Sequence, residues 1–333
     1  MKKRGFILLA FILLASGCQK RPEELYTIGL FQIIDAPTLN ETRRGFIQAL
    51  TDAGLRDGAN IKLIVRNAMG DVTEAQRVAK EFARPQIHMI VALSTQCLQA
   101  ALMASPKTPI IFTSVANPHL LGVGRTAENH LQNVTGVAST GPIRQILAFI
   151  KETLPRAQII GTLWTPSELN SEYYLQVVRE GATELGLEVI AVPVANVNEV
   201  LFSAQLLLNR NIDVLFPISD NTINASFESI GRLAEENGIP LFGGSPLFTR
   251  LGACAAMGWD FYEMGYKTGQ IAIRIKNGES PARIPIQYMS NVKLHLNLMA
   301  ARKQGVQFAP DIIRRADDVI GAGPLSNQER NEY

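Results

Sequence analysis

From residue 26 onward, short runs of β-branched and aliphatic residues alternate with stretches whose apolar positions recur every three to four residues. Tyr26 to Gln32 predicts a first strand, and Asn40 to Ala53 a helix with Phe46, Ile47 and Leu50 on one face and Gly54 as its stop. Ile61 to Asn67 predicts the second strand, and Asp71 is placed to cap a helix over Val72 to Ala83. Met89 to Leu93 comes next as a third strand, opening at Ser94-Thr95 into a helix that ends near Ala104, and Pro109 to Thr113 makes a fourth. This first unit closes near Thr135-Gly136-Val137.

The same rhythm then starts again. Pro142 to Leu154 predicts a helix with Pro in its first turn, Gln158 to Trp164 a strand, Ser171 to Leu185 a helix stopped by Gly186, and Glu188 to Val194 a strand. A helix over Glu199 to Arg210, a strand over Val214 to Ile218, a helix over Ile223 to Asn237 and a strand over Pro240 to Gly243 continue it. Ala253 to Gly258 is a further strand, and Phe261 to Asn277 a further helix whose Gly265 and Gly269 are spaced for close packing. After Pro310 the periodicity fades and no element is assigned.

Strands alternating with helices predict parallel βαβ construction, so the fold class is α/β with two doubly wound, Rossmann-like lobes. The expected division is 27–138 plus 261–288 for the N-terminal lobe, 139–260 plus 289–311 for the C-terminal lobe, and 312–333 as a tail. In such sheets ligands sit beyond the carboxyl ends of the strands, so the cleft between the lobes is the expected site.

The first residues add an address. Lys2, Lys3 and Arg4 precede an apolar run from Phe6 to Leu14, and small residues lead into Cys18, the layout of an export signal over residues 1–18. The run falls short of the roughly 20 residues that a spanning helix needs. Leu14-Ala15-Ser16-Gly17-Cys18 resembles a bacterial lipobox, which implies lipidation of Cys18 and attachment to a bacterial membrane on its periplasmic or cell-surface side. An ordinary signal peptide with an incidental cysteine is the alternative.

Composition narrows the function classes further. Lys plus Arg number 32 against 30 Asp plus Glu, which favours no nucleic-acid partner. Only Gln19 to Leu25 lie between Cys18 and the first strand, which leaves no room for a DNA-binding headpiece. Cys97 and Cys254 fall in different lobes and are expected as buried thiols. His88, His119, His130 and His295 lack metal-type spacing, so no metal site is expected. Gly122-Val123-Gly124 does not open a helix after a strand, and Gly243-Gly244-Ser245 lacks the second glycine of a nucleophile elbow. Neither catalytic residues nor a cofactor is therefore expected.

The positions just past the strand ends are consistently polar: Gln32, then Ser94 and Thr95, then Ser114 and Asn117, then the segment Trp164 to Ser171, then Asp220 and Asn221, then Ser245. Such groups can hold a small polar solute through directional bonds worth about 0.5–1.5 kcal/mol each. Taken singly, each is equally suited to capping the next helix or making a turn.

Ile28-Gly29-Leu30-Phe31-Gln32, Arg44-Gly45-Phe46, Thr108-Pro109-Ile110-Ile111-Phe112, Asn133-Val134-Thr135-Gly136-Val137, Asp220-Asn221-Thr222 and Gly258-Trp259-Asp260-Phe261-Tyr262-Glu263-Met264-Gly265 together resemble the ABC-transporter substrate-binding family that includes tryptophan and phenylalanine receptors. The likeness runs from about residue 26 to residue 310. It implies a type I periplasmic-binding fold, hinge closure over a small-molecule ligand, and docking to a permease with its ATPase; a monomer is expected. Carried over by position, Gln32, Ser94, Thr95 and Asn117 would serve the first lobe, and Ser167, Glu168, Asn170, Ser171, Asp220 and Asn221 the second. For an amino acid, Asp220 would take the ammonium and Trp164 would be an apolar wall, or else a core aromatic. The family often has an acidic pair where this chain has Gly244-Ser245, so Ser245 would supply a hydroxyl in place of a charge. A ligand-sensing module of a signalling system and an exported α/β enzyme are the rival functions.

Overall fold

The structure is a computed structural model that describes residues 25–104 and 107–321. Cys18 and the expected signal lie outside them. The first unit runs β1 (Tyr26–Gln32), α1 (Pro37–Asp52), β2 (Ile61–Asn67), α2 (Val72–Phe82), β3 (Met89–Leu93), α3 (Thr95–Ala104), β4 (Ile110–Val115) and β5 (Val134–Ala138). The second runs α4 (Ile143–Thr153), β6 (Ile159–Trp164), α5 (Leu169–Glu184), β7 (Glu188–Pro193), α6 (Val200–Leu208), β8 (Val214–Leu215), α7 (Asn221–Ala225), α8 (Phe227–Asn237), β9 (Phe242–Gly243) and β10 (Ala255–Gly258). The chain then returns through α9 (Phe261–Lys276) and β11 (Gln287–Tyr288), and ends with β12 (Lys293–Asn297), α10 (Leu298–Lys303), α11 (Pro310–Arg315) and β13 (Asp318–Ile320).

Two sheets result. In the first the order is β2-β1-β3-β4-β5-β11, every neighbour parallel. Parallel strands need both faces covered, and β3 and β5 are buried at every position. In the second, β7-β6-β8 and β9-β10-β12-β13 join through the Leu215–Leu241 bridge, with β12 antiparallel to β10. The chain passes between sheets three times, at 139–142, 259–260 and 289–292. Hydrophobic cores sit apart accordingly, one around Phe31, Phe46, Phe82 and Phe112, the others around Phe149, Phe216 and Phe242 and around Phe227 and Phe248. Fully burying one such side chain contributes about 1.5–3 kcal/mol.

The helix pair α1 and α9 binds the returning segment to the first sheet. A Cβ on Gly265 would overlap the Thr42 carbonyl, and one on Gly45 the Tyr262 carbonyl, so the two backbones touch only because both residues lack side chains. Helix α1 starts at Pro37, earlier than its apolar face announces, and Ile47 of that expected face is exposed while Leu39, Phe46 and Leu50 are buried.

Two further local expectations change. The single helix over Ile223 to Asn237 is divided at Ser226, whose backbone (φ −110°, ψ 8°) leaves α7 as a separate short helix. Residues 312–321, expected as part of a tail, fold onto the second lobe. There Ile312 is buried, β13 pairs with β12, and Asp317 accepts from Leu294 N (2.8 Å) and Lys293 Nζ (3.0 Å). Segments this short carry no periodicity and are held by docking.

Candidate functional site

At the carboxyl ends of both sheets the lobes enclose a small cavity of about 40 Å³. The first lobe supplies Thr38 and Leu39 from the start of α1 and Ser114 from β4. Ser114 sits where the β4–β5 register shifts, with φ 55°. That left-handed conformation is unusual for a non-glycine residue and turns its hydroxyl toward Thr42 Oγ1 (3.1 Å) and Met264 Sδ (3.9 Å).

The crossings supply Ser139, Gly141 and Trp259. They are braced from within: Trp259 Nε1 donates to Thr140 O (2.9 Å), and Tyr174 Oη donates to Ser139 O (2.7 Å) while accepting from Gly141 N (3.3 Å). Burial raises the Tyr174 pKa, which keeps the phenol a donor.

From the second lobe come Asn170 and Tyr174 of α5, Phe216 and Ser219 after β8, Asn221 and Asn224 of α7, and Gly244 after β9. Among the described residues, no charged side chain lines the cavity. Two bonds cross between the lobes beside it, from Asn221 Nδ2 to Gln96 Oε1 (3.0 Å) and from Asn224 Nδ2 to Thr38 Oγ1 (3.5 Å).

Behind this wall lie two buried carboxylates. Asp220 Oδ2 accepts from Ser171 Oγ (2.6 Å) and Thr165 N (3.1 Å), and its Oδ1 accepts from Ile223 N (2.8 Å) as the N-cap of α7. Burial first, and the neighbouring Glu168 charge second, push the Asp220 pKa well above the usual carboxylate range against the pull of those three bonds. Glu168 Oε1 accepts from Thr222 N (2.9 Å) and Thr222 Oγ1 (2.7 Å). Its Oε2 accepts from Asn221 N (3.0 Å), Asn221 Nδ2 (2.7 Å) and Asn170 Nδ2 (3.1 Å). This carboxylate ties the turn after β6 to the start of α7.

Of the residues expected from the strand ends, Asn170 and Asn221 line the cavity. Ser171 and Asp220 lie directly behind it, bonded to each other. Ser167 and Glu168 border a neighbouring hollow that also takes in Gln96, Asn221 and Met69. Gln32 is turned under α1, donating to Ile34 O (2.9 Å) and Asn40 Oδ1 (3.1 Å) and accepting from Arg43 Nη1 (2.7 Å). Ser94, at φ 115°, accepts from Cys97 N (3.3 Å), and Asn117 accepts from His119 N (3.1 Å), both as caps. Thr95 is buried with its hydroxyl unpartnered among the described residues, Trp164 packs against the second-lobe core, and Ser245 borders a third hollow with Arg250 and His295.

Thr38, Ser139, Tyr174, Phe216, Asn224 and Trp259 are wall residues that the strand-end pattern does not select. Trp259 and Ser139 come directly after strands β10 and β5, so the same rule extended to the crossings finds them.

A family model described as ABC transporter substrate binding protein matches residues 27–320. The chain is 33% identical over 270 residues to a tyrosine-binding protein of Clostridioides difficile (strain R20291), spanning 81% of this chain and 78% of that protein. Among solved structures, a conserved domain protein from Vibrio cholerae O1 biovar eltor superposes with a TM-score of 0.84 at 26% identity, covering 88% of this chain and 99% of the other. A ligand-free, open substrate binding protein with adhesive properties from Clostridium difficile gives 0.66 at 31% identity, covering 89% and 99%. An ABC domain in complex with L-Trp from Streptococcus pneumoniae gives 0.82 at 24% identity, covering 88% and 100%, and has the same fold.

Proposed function

The chain belongs to the ABC transporter substrate-binding protein family, and from that premise we propose that it traps one amino acid with an aromatic side chain between its lobes and presents it to the permease and ATPase of an importer. The observation that carries this reading is the chemistry of the cavity wall, since the space itself, about 40 Å³, admits an aromatic amino acid only as the lobes part. Trp259, Tyr174, Phe216 and Phe261 stand around uncharged hydroxyl and amide groups drawn from both lobes. Aromatic faces and edges suit an aromatic side chain, and neutral hydrogen-bonding groups suit a zwitterion whose two charges sit close together. The likeness to a tyrosine-binding protein points to the same ligand class.

The lobes, 27–138 with 261–288 and 139–260 with 289–321, turn against each other about the three crossings, and ligand contacts to both favour the closed arrangement. Poorer superposition on the open relative than on the Vibrio protein, despite higher identity, fits a difference in lobe orientation. The protein works as a monomer and without catalysis, held to the membrane by acyl chains on Cys18. Calorimetry of the purified protein against the common amino acids tests the ligand. Tyrosine, phenylalanine or tryptophan should bind in the micromolar range or tighter, and a panel in which none of the three binds rejects the proposal. Labelling with radioactive palmitate tests the anchor: wild type takes up label and Cys18→Ser does not.

A further inference from the structure

An amino acid brings an ammonium group, and the cavity wall contains no carboxylate among the described residues to meet it. Asp220 does not reach the cavity, and three protein donors already occupy its two oxygens. The acceptor lies one step nearer. Asn170 lines the cavity and is 7% exposed, yet its Oδ1 has no hydrogen-bond partner among the described residues. A buried amide oxygen without a donor is destabilising, and a ligand that supplies the donor recovers that loss.

Which end of the amide is left to accept is not free. Glu168 is 3% exposed, lies off the cavity wall, and offers only acceptors, so the amide edge turned toward it must be the nitrogen. Asn221 is held in the same sense, its Nδ2 shared between Glu168 Oε2 and Gln96 Oε1. One carboxylate thus fixes two neighbouring wall amides with their nitrogens drawn away and an oxygen left over.

Building on the amino-acid reading above, we propose that Asn170 Oδ1 seats the ligand's ammonium group and that Glu168, which touches no ligand, is the positioning residue that holds the Asn170 amide in the accepting orientation. The ligand class is therefore one with a protonated amine, recognised through a charge-assisted hydrogen bond to a neutral oxygen. The negative charge of Glu168 sits one residue behind that oxygen, where it favours a cation without forming a direct ion pair. A directly contacting carboxylate would have to be stripped of water each time the cleft opened and closed. Here the anion stays solvated by protein donors in either state.

The test compares L-tyrosine with 3-(4-hydroxyphenyl)propionate, which lacks only the amine, by calorimetry on the purified protein. Wild type should bind the amine-free probe at least about 100-fold more weakly, because a buried acceptor would be left without its donor. Glu168→Gln, which can turn its own amide and release that of Asn170, should weaken tyrosine about 10-fold and the amine-free probe less than about 2-fold. Asn170→Ala should show the same selectivity for the amine with a larger loss. A merely structural role for Glu168 would weaken both probes alike, and that result overturns the assignment. Equal wild-type affinity for the two probes also overturns it, without need of any variant, while leaving the aromatic amino-acid reading intact. Absence of tyrosine, phenylalanine and tryptophan binding removes both.

Discussion

Asn221 in α7 donates its Nδ2 to Gln96 in α3 at 3.0 Å, joining the two lobes through side chains that are 9% and 8% exposed. Gln96 borders the neighbouring hollow but not the cavity wall, so its contact bears on closure rather than on the ligand directly. Asn221 meanwhile keeps its place through Glu168 when Gln96 is removed.

Gln96→Ala should therefore loosen the closed state by about one hydrogen bond, 0.5–1.5 kcal/mol. The expected result is a ligand dissociation rate raised about 2- to 10-fold with little change in association. Stopped-flow fluorescence can track it, since Trp259 stands in the cavity wall. An unchanged dissociation rate would show that the bond does not contribute to closure.

Tyr174 reaches from α5 to the first crossing, where its hydroxyl serves both the Ser139 carbonyl and the Gly141 amide. Tyr174→Phe leaves that carbonyl without its donor in a buried place. Stability should fall by about 1–3 kcal/mol, measured by urea unfolding, and ligand affinity should fall with it because the crossing forms part of the wall. A stability equal to wild type would mean that water enters and replaces the phenol.

Gly265→Ala pushes a methyl group against the Thr42 carbonyl where α9 meets α1. Neither partner is a side chain that can swing aside, so the helices must separate, at about 1–3 kcal/mol or more. A lower urea midpoint is expected. An unchanged one would require that the helix pair shift without loss elsewhere.

That close approach is visible in the chain only as the spacing of Gly265 and Gly269, whereas the succession of strands and helices is plainly legible, because continuous apolar runs and helical periodicity are local properties. The division at Ser226 is not visible, since serine is nearly neutral in a helix and the break comes from how α7 is anchored by Glu168 and Asp220. The strand-end positions and the cavity fall at the same edge of both sheets, yet Gln32 turns under α1 while Asn170 lines the cavity. Residue type announces hydrogen-bonding capacity. The direction in which a side chain uses it depends on partners held in place by distant parts of the chain, as the Glu168 that orients Asn170 is itself fixed by Asn221 and Thr222. Likewise Trp164 and Trp259 both stand at strand ends, and only the second lies at a crossing, where the lobes meet.

Cys97 and Cys254 occupy different cores, and burial pushes the pKa of each thiol up to about 12. Neither should react with an aromatic disulfide reagent at pH 8 in the folded protein, and both should react in concentrated urea. Rapid labelling of either thiol under native conditions would contradict this burial.

Asp220 gives a pH dependence whose sign is fixed by its surroundings. Its pKa in the folded protein lies above the ordinary value of 3.8 that stands for the unfolded chain, because burial and the Glu168 charge oppose ionisation. The folded state therefore holds the proton more tightly, and the contribution of Asp220 to stability declines as pH rises from about 4 through its folded pKa. Each unit of elevation corresponds to about 1.4 kcal/mol. Asp220→Asn carries no such charge, so the difference in urea-unfolding free energy between wild type and variant should change steadily in the variant's favour across that interval and then level off. Titrating groups that do not face Asp220 are common to the two proteins and cancel in the difference. Parallel curves would mean that the three donors on Asp220 compensate fully for its burial.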